Sequence, residues 1–467
     1  MPVPDSAAYR RTVAVLLMVA YTFNSMDRSL ISIIASPIKA DLRLTDTQLG
    51  LLGGTAFALL YAFGGIPIAR LAERISRVNI IGTALILWSG LTALCAAAGT
   101  FVELLAIRVA VGVAEAGCSP AAHSLISDYF PPAERASALS IYSSGISLGY
   151  ILAAVAGGYL AQHFGWRAAC AAVGIPGVLT AILIKAVVRE PARGQSDARA
   201  ADVPAPFSLA EELRELRAVG AALICDPPIR HMVLGVTLGA FAAYGFYAFV
   251  PPYYNRVFGL GYAATGYVTA LTGGVAVGLG IIAGGFVADA LARYGTRWYA
   301  LVPAIGGVLA LPLYVLAVLA SDWRTSAWAL GAAGFFQYAS LGPTFGVVQN
   351  AVGIRRRATA TAFLYICLSV LALGLGQVFT GSVIDRVAQG DFAGRGASFA
   401  ASCPGGSALP GAAAGLQLAC RSTLSLATRR GLLITVAFFA WAALHYFLAA
   451  AGFARSGDSP VRRPQAG

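Results

Sequence analysis

The chain repeatedly carries runs of about 20 apolar residues with few charges, and these runs limit its fold more than any other feature. Inside a bilayer no water is available to backbone N–H and C=O groups, so a run of this length crosses as a helix. The composition agrees, because 58% of the 467 residues are hydrophobic and 12% are charged, against about 25% charged residues in a typical soluble domain. The sequence therefore predicts an all-α membrane protein.

The apolar runs fall into two sets of six, separated by a polar linker. They cover residues 12–37, 47–70, 79–98, 101–125, 137–161 and 166–187, then 229–254, 262–288, 298–320, 326–351, 358–384 and 430–452. We expect twelve transmembrane helices in two bundles, an N-terminal six-helix bundle at 1–188 and a C-terminal one at 229–453. The linker at 189–228 carries an amphipathic stretch, either an interfacial helix or a solubilising connection. Residues 454–467 form a predicted cytoplasmic tail.

The Lys and Arg residues near span ends are more frequent on the side that holds the N-terminus. By the positive-inside rule, we expect both termini in the cytoplasm and the protein in a bacterial inner (plasma) membrane. The loop at 385–429 then lies outside the cytoplasm, where a disulfide between Cys403 and Cys420 is expected. The net charge of +12 does not indicate a nucleic-acid partner, because the basic residues form no stripe with interleaved aromatic residues.

Two acids and two bases stand at membrane depth, all in the N-terminal half: Asp27, Arg28, Arg108 and Glu115. A charge at the bilayer centre costs about 2.5–3.5 kcal/mol on insertion scales, so such residues are candidates for function. Arg108 and Glu115 share one helix face, and Asp27 should lie at a similar depth to Arg108. Asp27 and Arg28 are poor partners for each other, because neighbouring helix positions diverge. We expect a four-charge cluster that faces the bundle interior; a purely structural salt bridge is the alternative.

A charged motif recurs six spans apart. After the second span the chain reads ARLAERISR, residues 69–77, and after the eighth it reads GFVADALAR, residues 285–293. The match indicates parallel repeats related by a pseudo-two-fold axis along the membrane normal. We expect the charges to form a latch at the cytoplasmic face, and simple topogenic charge is the alternative. The candidate gate residues are Glu73, Arg74, Arg77, Asp128, Arg135, Asp289 and Arg293.

These features resemble the major facilitator superfamily. Its loop motif G-x-x-x-D-R-x-G-R-R is represented here by Ala69, Glu73, Arg74, Ser76 and Arg77, and Val78 stands at the last basic position. The fifth span also resembles a glycine motif of the family. Its glycines are Gly145, Gly149, Gly157 and Gly158, with Ala153 and Ala154 where Gly-Pro is usual. Helix packing alone is the alternative explanation of these glycines.

Three stretches further resemble the Spinster group of lysolipid and sphingolipid transporters. They are N-x-x-D-R at 24–28, R-x-x-x-G-x-x-E-A at 108–116 and D-Y-F-P-P-x-x-R-x-x-A-L-S-I-Y at 128–142. The resemblance implies that Asp27 senses protons, with Glu115 as a second coupling residue. It also implies that Arg28 and Arg108 bind a headgroup or switch partners, and that Glu115 pairs with Arg108.

Aromatic residues, rather than ions, crowd membrane depth in the C-terminal half, and two more lie in the second span. The candidates for an apolar pocket are Phe57, Tyr61, Tyr244, Tyr247, Phe335, Phe336 and Tyr365. Each has ordinary packing or an interfacial position as its alternative. A charged wall and an apolar wall together predict an amphipathic anion as substrate. We expect alternating access with proton antiport, and uniport is the alternative.

No HExxH, Walker or GxGxxG pattern occurs, and the four His form no metal-binding constellation, so we expect no cofactor and no metal. We do not expect an enzyme. The expected partners of a monomeric chain are a lipid-like substrate, protons and the bilayer. Two alternatives stay open: a drug or organic-anion exporter of the same fold, and a membrane-embedded lipid receptor or enzyme.

Overall fold

The computed structural model describes residues 6–58, 75–193, 195, 209–352, 356–393 and 398–455. Within these ranges every regular element is a helix, so the prediction of an all-α fold is confirmed. Three predicted site residues, Tyr61, Glu73 and Arg74, lie outside the described residues.

The helices before the linker are α1 (Ala7–Ile33), α2 (Ala35–Leu42), α3 (Asp46–Gly50), α4 (Arg77–Leu94), α5 (Phe101–Glu115), α6 (Cys118–Tyr129), α7 (Pro132–Leu152) and α8 (Gly158–Val187). Those that follow are α9 (Leu209–Cys225), α10 (Pro227–Phe258), α11 (Tyr262–Thr269), α12 (Ala276–Ala292), α13 (Trp298–Leu319), α14 (Trp323–Tyr338), α15 (Leu341–Asn350), α16 (Arg357–Ile366), α17 (Gly374–Ala393), α18 (Phe399–Ser402) and α19 (Ala414–Arg455).

Polar residues at the helix starts cap several of these helices. The Ser6 hydroxyl accepts a hydrogen bond from the Tyr9 N–H at 3.2 Å, which caps α1. Thr100 and Glu103 form a capping box that begins α5. Such bonds satisfy N–H groups that have no partner inside the helix. The helix that carries Arg108 and Glu115 is therefore fixed at its first turn by local sequence.

Seven helical stretches in the described part of the chain are long and apolar enough to cross a membrane. They are Arg77–Ala97, Ser137–Val187, Pro227–Phe258, Tyr262–Ala292, Trp298–Leu319, Thr359–Ala393 and Ala414–Arg455. The stretch Ser137–Val187 holds two predicted spans, and Gly165, with φ 84°, separates them. Helix α1 covers the first predicted span, while the pairs α5 with α6 and α14 with α15 cover the fourth and tenth. The number twelve stays a prediction.

In the described part of the chain, wide π-helical turns interrupt four of the predicted spans. They are Leu51–Thr55, Ala153–Gly157, Ala270–Val275 and Cys367–Leu373. They fall in the second and eighth spans and in the fifth and eleventh, so each has a counterpart six spans away. This correspondence agrees with the repeat that the charged motif indicates, since π-helical turns are rare.

The described residues divide into two compact units. Unit 1 takes those within Met1–Leu44, Leu51–Phe207 and Leu260–Ala270. Unit 2 takes those within Thr45–Gly50, Ser208–Gly259 and Leu271–Gly467. The segment Thr45–Gly50 therefore packs with unit 2 although it precedes the linker by many residues.

An ion pair and hydrogen bonds join distant parts of the chain within unit 2, and a disulfide closes a shorter loop. Asp46 is fully buried and pairs with Arg256 at 2.6 Å. The Asp385 carboxylate accepts from the Asp46 and Thr47 N–H groups at 3.0 and 2.7 Å, at the start of α3. The structure also joins Cys403 to Cys420 in a disulfide.

The amphipathic linker helix, α9, packs by its apolar side. Val219 and Leu223 are buried in a hydrophobic cluster of unit 2. A Cβ atom at Gly220 would lie 2.7 Å from the Phe363 ring, so α9 contacts α16 closely. On its exposed side, Glu215 pairs with Arg356 at 2.8 Å. The stretch is therefore a packed helix, which goes beyond a solubilising connection.

Glycines allow α1 and α7 to meet backbone to backbone in unit 1. A Cβ atom at Gly149 would collide with the Thr22 carbonyl oxygen, and one at Gly145 would lie 2.7 Å from the Met18 carbonyl oxygen. Small residues permit such close helix approach in membranes. Because α1 carries Asp27 and Arg28, this packing fixes the helix on which the charged residues stand.

We predict that Gly149→Ala lowers the thermal unfolding temperature of the purified protein, because overpacking against backbone costs about 1–3 kcal/mol. The matched control is Gly90→Ala in α4, where a Cβ atom meets no atom within 4 Å. That variant should unfold at an equal or higher temperature, since Ala favours helix over Gly. Equal unfolding temperatures for the two variants would contradict the proposed packing role of Gly149.

Candidate functional site

The four charges predicted to lie at membrane depth come together in unit 1 as two crossed ion pairs. Asp27 Oδ2 accepts from Arg108 Nη1 at 3.0 Å, and Glu115 Oε2 accepts from Arg28 Nε at 2.8 Å. Helix α1 supplies one acid and one base, and α5 supplies the other two. The two neighbouring residues on α1 therefore form their ion pairs with two residues of α5 that are seven positions apart. We call these four residues the quartet.

Three of the four quartet residues are almost completely removed from solvent. Asp27 and Arg108 are 2% and 1% exposed, and Glu115 is fully buried, whereas the Arg28 side chain keeps 28% of its surface. A charge in such surroundings needs a partner of opposite sign and further hydrogen bonds. Thr92 on α4 supplies one of them, because its hydroxyl lies 2.7 Å from Asp27 Oδ1.

The ring of Phe57 covers both guanidinium groups. Its centroid lies 4.7 Å from Arg28 Cζ and 6.0 Å from Arg108 Cζ, distances at which a cation is attracted to an aromatic face. The residue follows the π-helical turn Leu51–Thr55. A Cβ atom at Gly112 would lie 2.9 Å from the Phe57 carbonyl oxygen, so the glycine lets α5 approach this segment. Phe57 therefore contacts both ion pairs.

Buried side chains in and beside the quartet have hydrogen-bonding atoms without a partner among the described residues, and Glu115 Oε1 is one of these atoms. Arg108 Nε and Nη2 have no partner among the described residues. The same holds for both amide atoms of Asn24, which is 1% exposed. Nearly all buried polar groups in native proteins are hydrogen-bonded, so exceptions often mark function.

The partner of Glu115 differs from the one that the resemblance implied. We expected Glu115 to pair with Arg108, but its ion pair is with Arg28, while Arg108 pairs with Asp27. Residue spacing along α5 showed that Arg108 and Glu115 share a face. It did not show the rotation of α1, which sets the order of the contacts. Thr92 was also missed, because one Thr in an apolar run carries little signal.

At one end of α4, Arg77 forms a dense buried cluster. Its guanidinium donates to Asp128, to Glu190 Oε1 at 2.7 Å and to the Ser124 hydroxyl at 2.8 Å. Glu190 Oε2 also accepts from the Val78 N–H at 3.0 Å. Arg77 and Asp128 were expected together, whereas Glu190 was not, because it lies in the polar linker. Arg135 belongs to a separate contact and donates to the Ser127 and Phe130 carbonyl oxygens.

The repeat-related residues of unit 2 have a different environment. Arg293 is exposed and lies 4.7 Å from the centroid of the Tyr294 ring. Asp289 is exposed as well, and one of its oxygens accepts from the Tyr299 hydroxyl at 3.1 Å. The two copies of the motif thus match in sequence, while only Arg77 is enclosed by carboxylates within the described residues.

The aromatic candidates of unit 2 range from exposed to buried. Tyr244 and Tyr365 are exposed, at 40% and 56%. Tyr247 is buried and meets the Tyr338 ring edge to face at 6.0 Å. Phe335 and Phe336 are half-buried and contact each other at 5.4 Å.

Asp41 is an exposed acid of unit 1 that lies outside the predicted spans. Asp41 accepts a hydrogen bond from Arg167, which lowers the pKa of this carboxyl below its usual value, and the Trp166 indole at 3.1 Å adds to the effect. Asp41 is exposed and stays ionised at neutral pH. It is a suitable control acid for experiments on Asp27.

We predict that Arg77→Ala destabilises the protein by about 3–5 kcal/mol, because it leaves the buried Asp128 carboxylate and the half-buried Glu190 carboxylate without their counter-ion. Its control, Arg293→Ala, should cost about 1 kcal/mol or less, since an exposed contact with one aromatic ring is weak. Unfolding of both variants in detergent, followed by tryptophan fluorescence, measures the difference. Two equally mild variants would contradict the buried environment of Arg77.

Comparison with known proteins agrees with this architecture. A family model described as Major Facilitator Superfamily matches residues 17–377. An MFS-type efflux pump of Mycolicibacterium smegmatis is 30% identical over 376 residues, which cover 80% of this chain and 84% of that protein. A hexuronate transporter of Bacillus subtilis is 26% identical, with coverage of 82% and 89%.

A solved structure is similar over nearly the whole chain. It is a bacterial homologue of the human lysosomal transporter Spinster, in an inward-facing and unoccupied conformation. It is 32% identical, covers 98% of this chain and 100% of its own, and superimposes with a TM-score of 0.86. Its occupied inward-facing form gives 0.84. The predicted resemblance to this group is confirmed. The chain belongs to the Major Facilitator Superfamily and is an integral membrane transporter similar to a bacterial Spinster homologue.

Proposed function

We propose that a single copy of the chain is a proton-coupled secondary transporter of an amphipathic anion, such as a lysolipid or sphingolipid, and works by alternating access. The observation that supports it most is the buried Asp27–Arg108 pair, at 3.0 Å, within the quartet. Burying four charges in an apolar bundle is costly, and transporters use such ions for coupling and for substrate recognition. The resemblance to the Spinster group supports the lipid-like class of substrate.

The chemistry of the quartet links a proton to an anion. Arg108 keeps its charge at all relevant pH values, because a guanidinium does not lose its proton in proteins. While Asp27 is ionised, it occupies Nη1 of Arg108. Protonation of Asp27 removes that anionic partner and leaves Arg108 able to attract the anionic group of a substrate. Glu115 and Arg28 neutralise each other beside this pair and give the site a second exchangeable contact.

The orientation proposed is that of the positive-inside rule, with both termini in the cytoplasm of a bacterium and the protein in its inner membrane. In this orientation the Arg77 cluster lies at the cytoplasmic end of unit 1. We propose that it is one side of a latch, with Glu73 and Arg74 as further members.

Asp27→Asn should abolish the dependence of transport on a pH gradient, because the residue can no longer take up and release a proton. Arg108→Ala should abolish substrate binding. Both are measured by uptake into proteoliposomes at two pH gradients, and the direction of proton movement relative to substrate distinguishes antiport from other coupling. The control is Asp41→Asn, the same exchange at an exposed acid of unit 1. Full gradient-driven uptake by the Asp27 variant would refute the coupling.

A second candidate is export of drugs or organic anions, favoured by the similarity to the efflux pump of M. smegmatis. A panel containing an anionic lysophospholipid, a hexuronate and a lipophilic cationic dye separates the two candidates. We expect the lysophospholipid alone to raise the unfolding temperature of the purified protein. Stabilisation by the dye, with none by the lysophospholipid, would support the exporter. Chemically unchanged lysophospholipid inside sealed vesicles would exclude an enzymatic function.

For the latch, Glu73→Gln should increase the labelling of engineered cysteines from the cytoplasmic side, since a latch that loses charge opens more often. Asp41→Asn, which likewise replaces an acid by its amide but lies outside the motif at an exposed position, is the control and should leave labelling as it is. Labelling that is equal in the wild type and the Glu73 variant would leave topogenic charge as the role of the motif.

A further inference from the structure

Asn24 is the one residue of the N-x-x-D-R motif that the proposed function leaves without a role. It is 1% exposed, and neither its Oδ1 nor its Nδ2 atom has a partner among the described residues. It lies three positions before Asp27 and four before Arg28 on α1, so it stands one turn away on the face between them. A buried carboxamide without hydrogen bonds is unfavourable and calls for a functional explanation.

The donors that would match this carboxamide belong to Arg108. Its pair with Asp27 uses Nη1, while Nε and Nη2 are buried and have no partner in the described part of the chain. The guanidinium therefore presents two unused donor groups in the neighbourhood where Asn24 presents an unused acceptor. The other acid of the quartet, Glu115, already has Arg28 as its counter-ion through Oε2, at 2.8 Å, while its Oε1 has no partner among the described residues.

The groups around Asp27 decide what happens when it takes up a proton. The charged and titratable ones are Arg28 on α1, Cys95 after α4, Arg108 and Glu115 on α5, and Cys170 on α8. Among them, only Arg108 is held by Asp27 in an ion pair of the described residues. Protonation of Asp27 therefore leaves Arg108, which remains a cation, without its anionic partner.

We propose that Asn24 is a positioning residue. Its Oδ1 accepts a hydrogen bond from the Arg108 guanidinium when Asp27 is protonated. In this step a proton from the aqueous side binds the Asp27 carboxylate, and the contact with Nη1 breaks. A hydrogen bond from Nε or Nη2 of Arg108 to Asn24 Oδ1 then forms. The site gains one positive charge, and the contact moves by about 4.5 Å along α1, the rise of three residues. The inference rests on the proton coupling proposed above.

The test measures the protonation of Asp27 directly and needs no substrate. Infrared difference spectra of the full-length protein in liposomes are recorded during a pH titration. The carboxylic-acid band of Asp27 is the one that disappears in Asp27→Asn. We expect Asn24→Leu to move the pH midpoint of this band down by about one to two units, the equivalent of one lost hydrogen bond to a charged group. More acid is then needed, because the protonated form has lost its acceptor for Arg108.

Two further variants separate this role from a structural one. Asn24→Gln retains the carboxamide and should restore a midpoint close to that of the wild type. Ser25→Ala is the control; its hydroxyl is the buried neighbour that donates instead to the Ile146 carbonyl oxygen, at 2.8 Å. It should leave the midpoint unchanged. If Asn24→Leu does not fold, Asn24→Ala replaces it with the same expected shift.

The outcomes distinguish this inference from the function on which it rests. A wild-type midpoint in Asn24→Leu, beside a band that Asp27→Asn removes, would overturn the role of Asn24 and leave proton coupling intact. A wild-type protein without any titrating Asp27 band would overturn the coupling itself. An equal shift in Asn24→Leu and Ser25→Ala would reduce the effect to general loosening of α1 and would also overturn the inference.

Discussion

The contact between Asp27 and Arg108 is the interaction on which the arrangement of unit 1 depends. Both residues are buried, and Arg108 Nη1 lies 3.0 Å from Asp27 Oδ2. Removing either partner would leave a buried charge uncompensated, which costs far more than an exposed pair contributes. The helices that carry them, α1 and α5, must therefore remain in register in any state in which both residues are ionised. Thr92 and the Phe57 ring add contacts that hold the same register.

Close packing explains how an apolar bundle brings such charges together. Gly145 and Gly149 let α1 lie directly against α7, and Gly112 lets α5 approach Phe57. Apolar surface offers little driving force for helix association inside lipid, so van der Waals contact and polar contacts set the geometry. The glycines and the quartet are thus parts of one arrangement. For the glycine motif the structure shows the packing, at Gly145 and Gly149, and a transport role of these glycines stays a prediction.

Much of the fold followed from the sequence, because apolar runs and charge at membrane depth have few physical solutions. The all-α fold and the family were predicted, and both are confirmed. The pairing of Arg28 with Glu115 was not predicted, since it depends on how α1 is rotated against α5. The contact of Glu190 with Arg77 was not predicted either, because the sequence of a polar linker does not indicate which of its acids packs against the helix bundle. Matching the two motifs also could not predict that Arg77 and Arg293 have different surroundings. A repeat in sequence does not determine which residues pack against each copy.

The central claim is that substrate and proton act on the same buried cation of the quartet, Arg108. The most direct test of this shared site is the number of protons exchanged when substrate binds. Calorimetry of the purified protein in buffers of different ionisation enthalpy measures that number. With the substrate that the ligand panel identifies, binding to the wild type should exchange protons with the buffer, and binding to Asp27→Asn should exchange none. Substrate binding to the wild type without any proton exchange would contradict a shared site for proton and substrate.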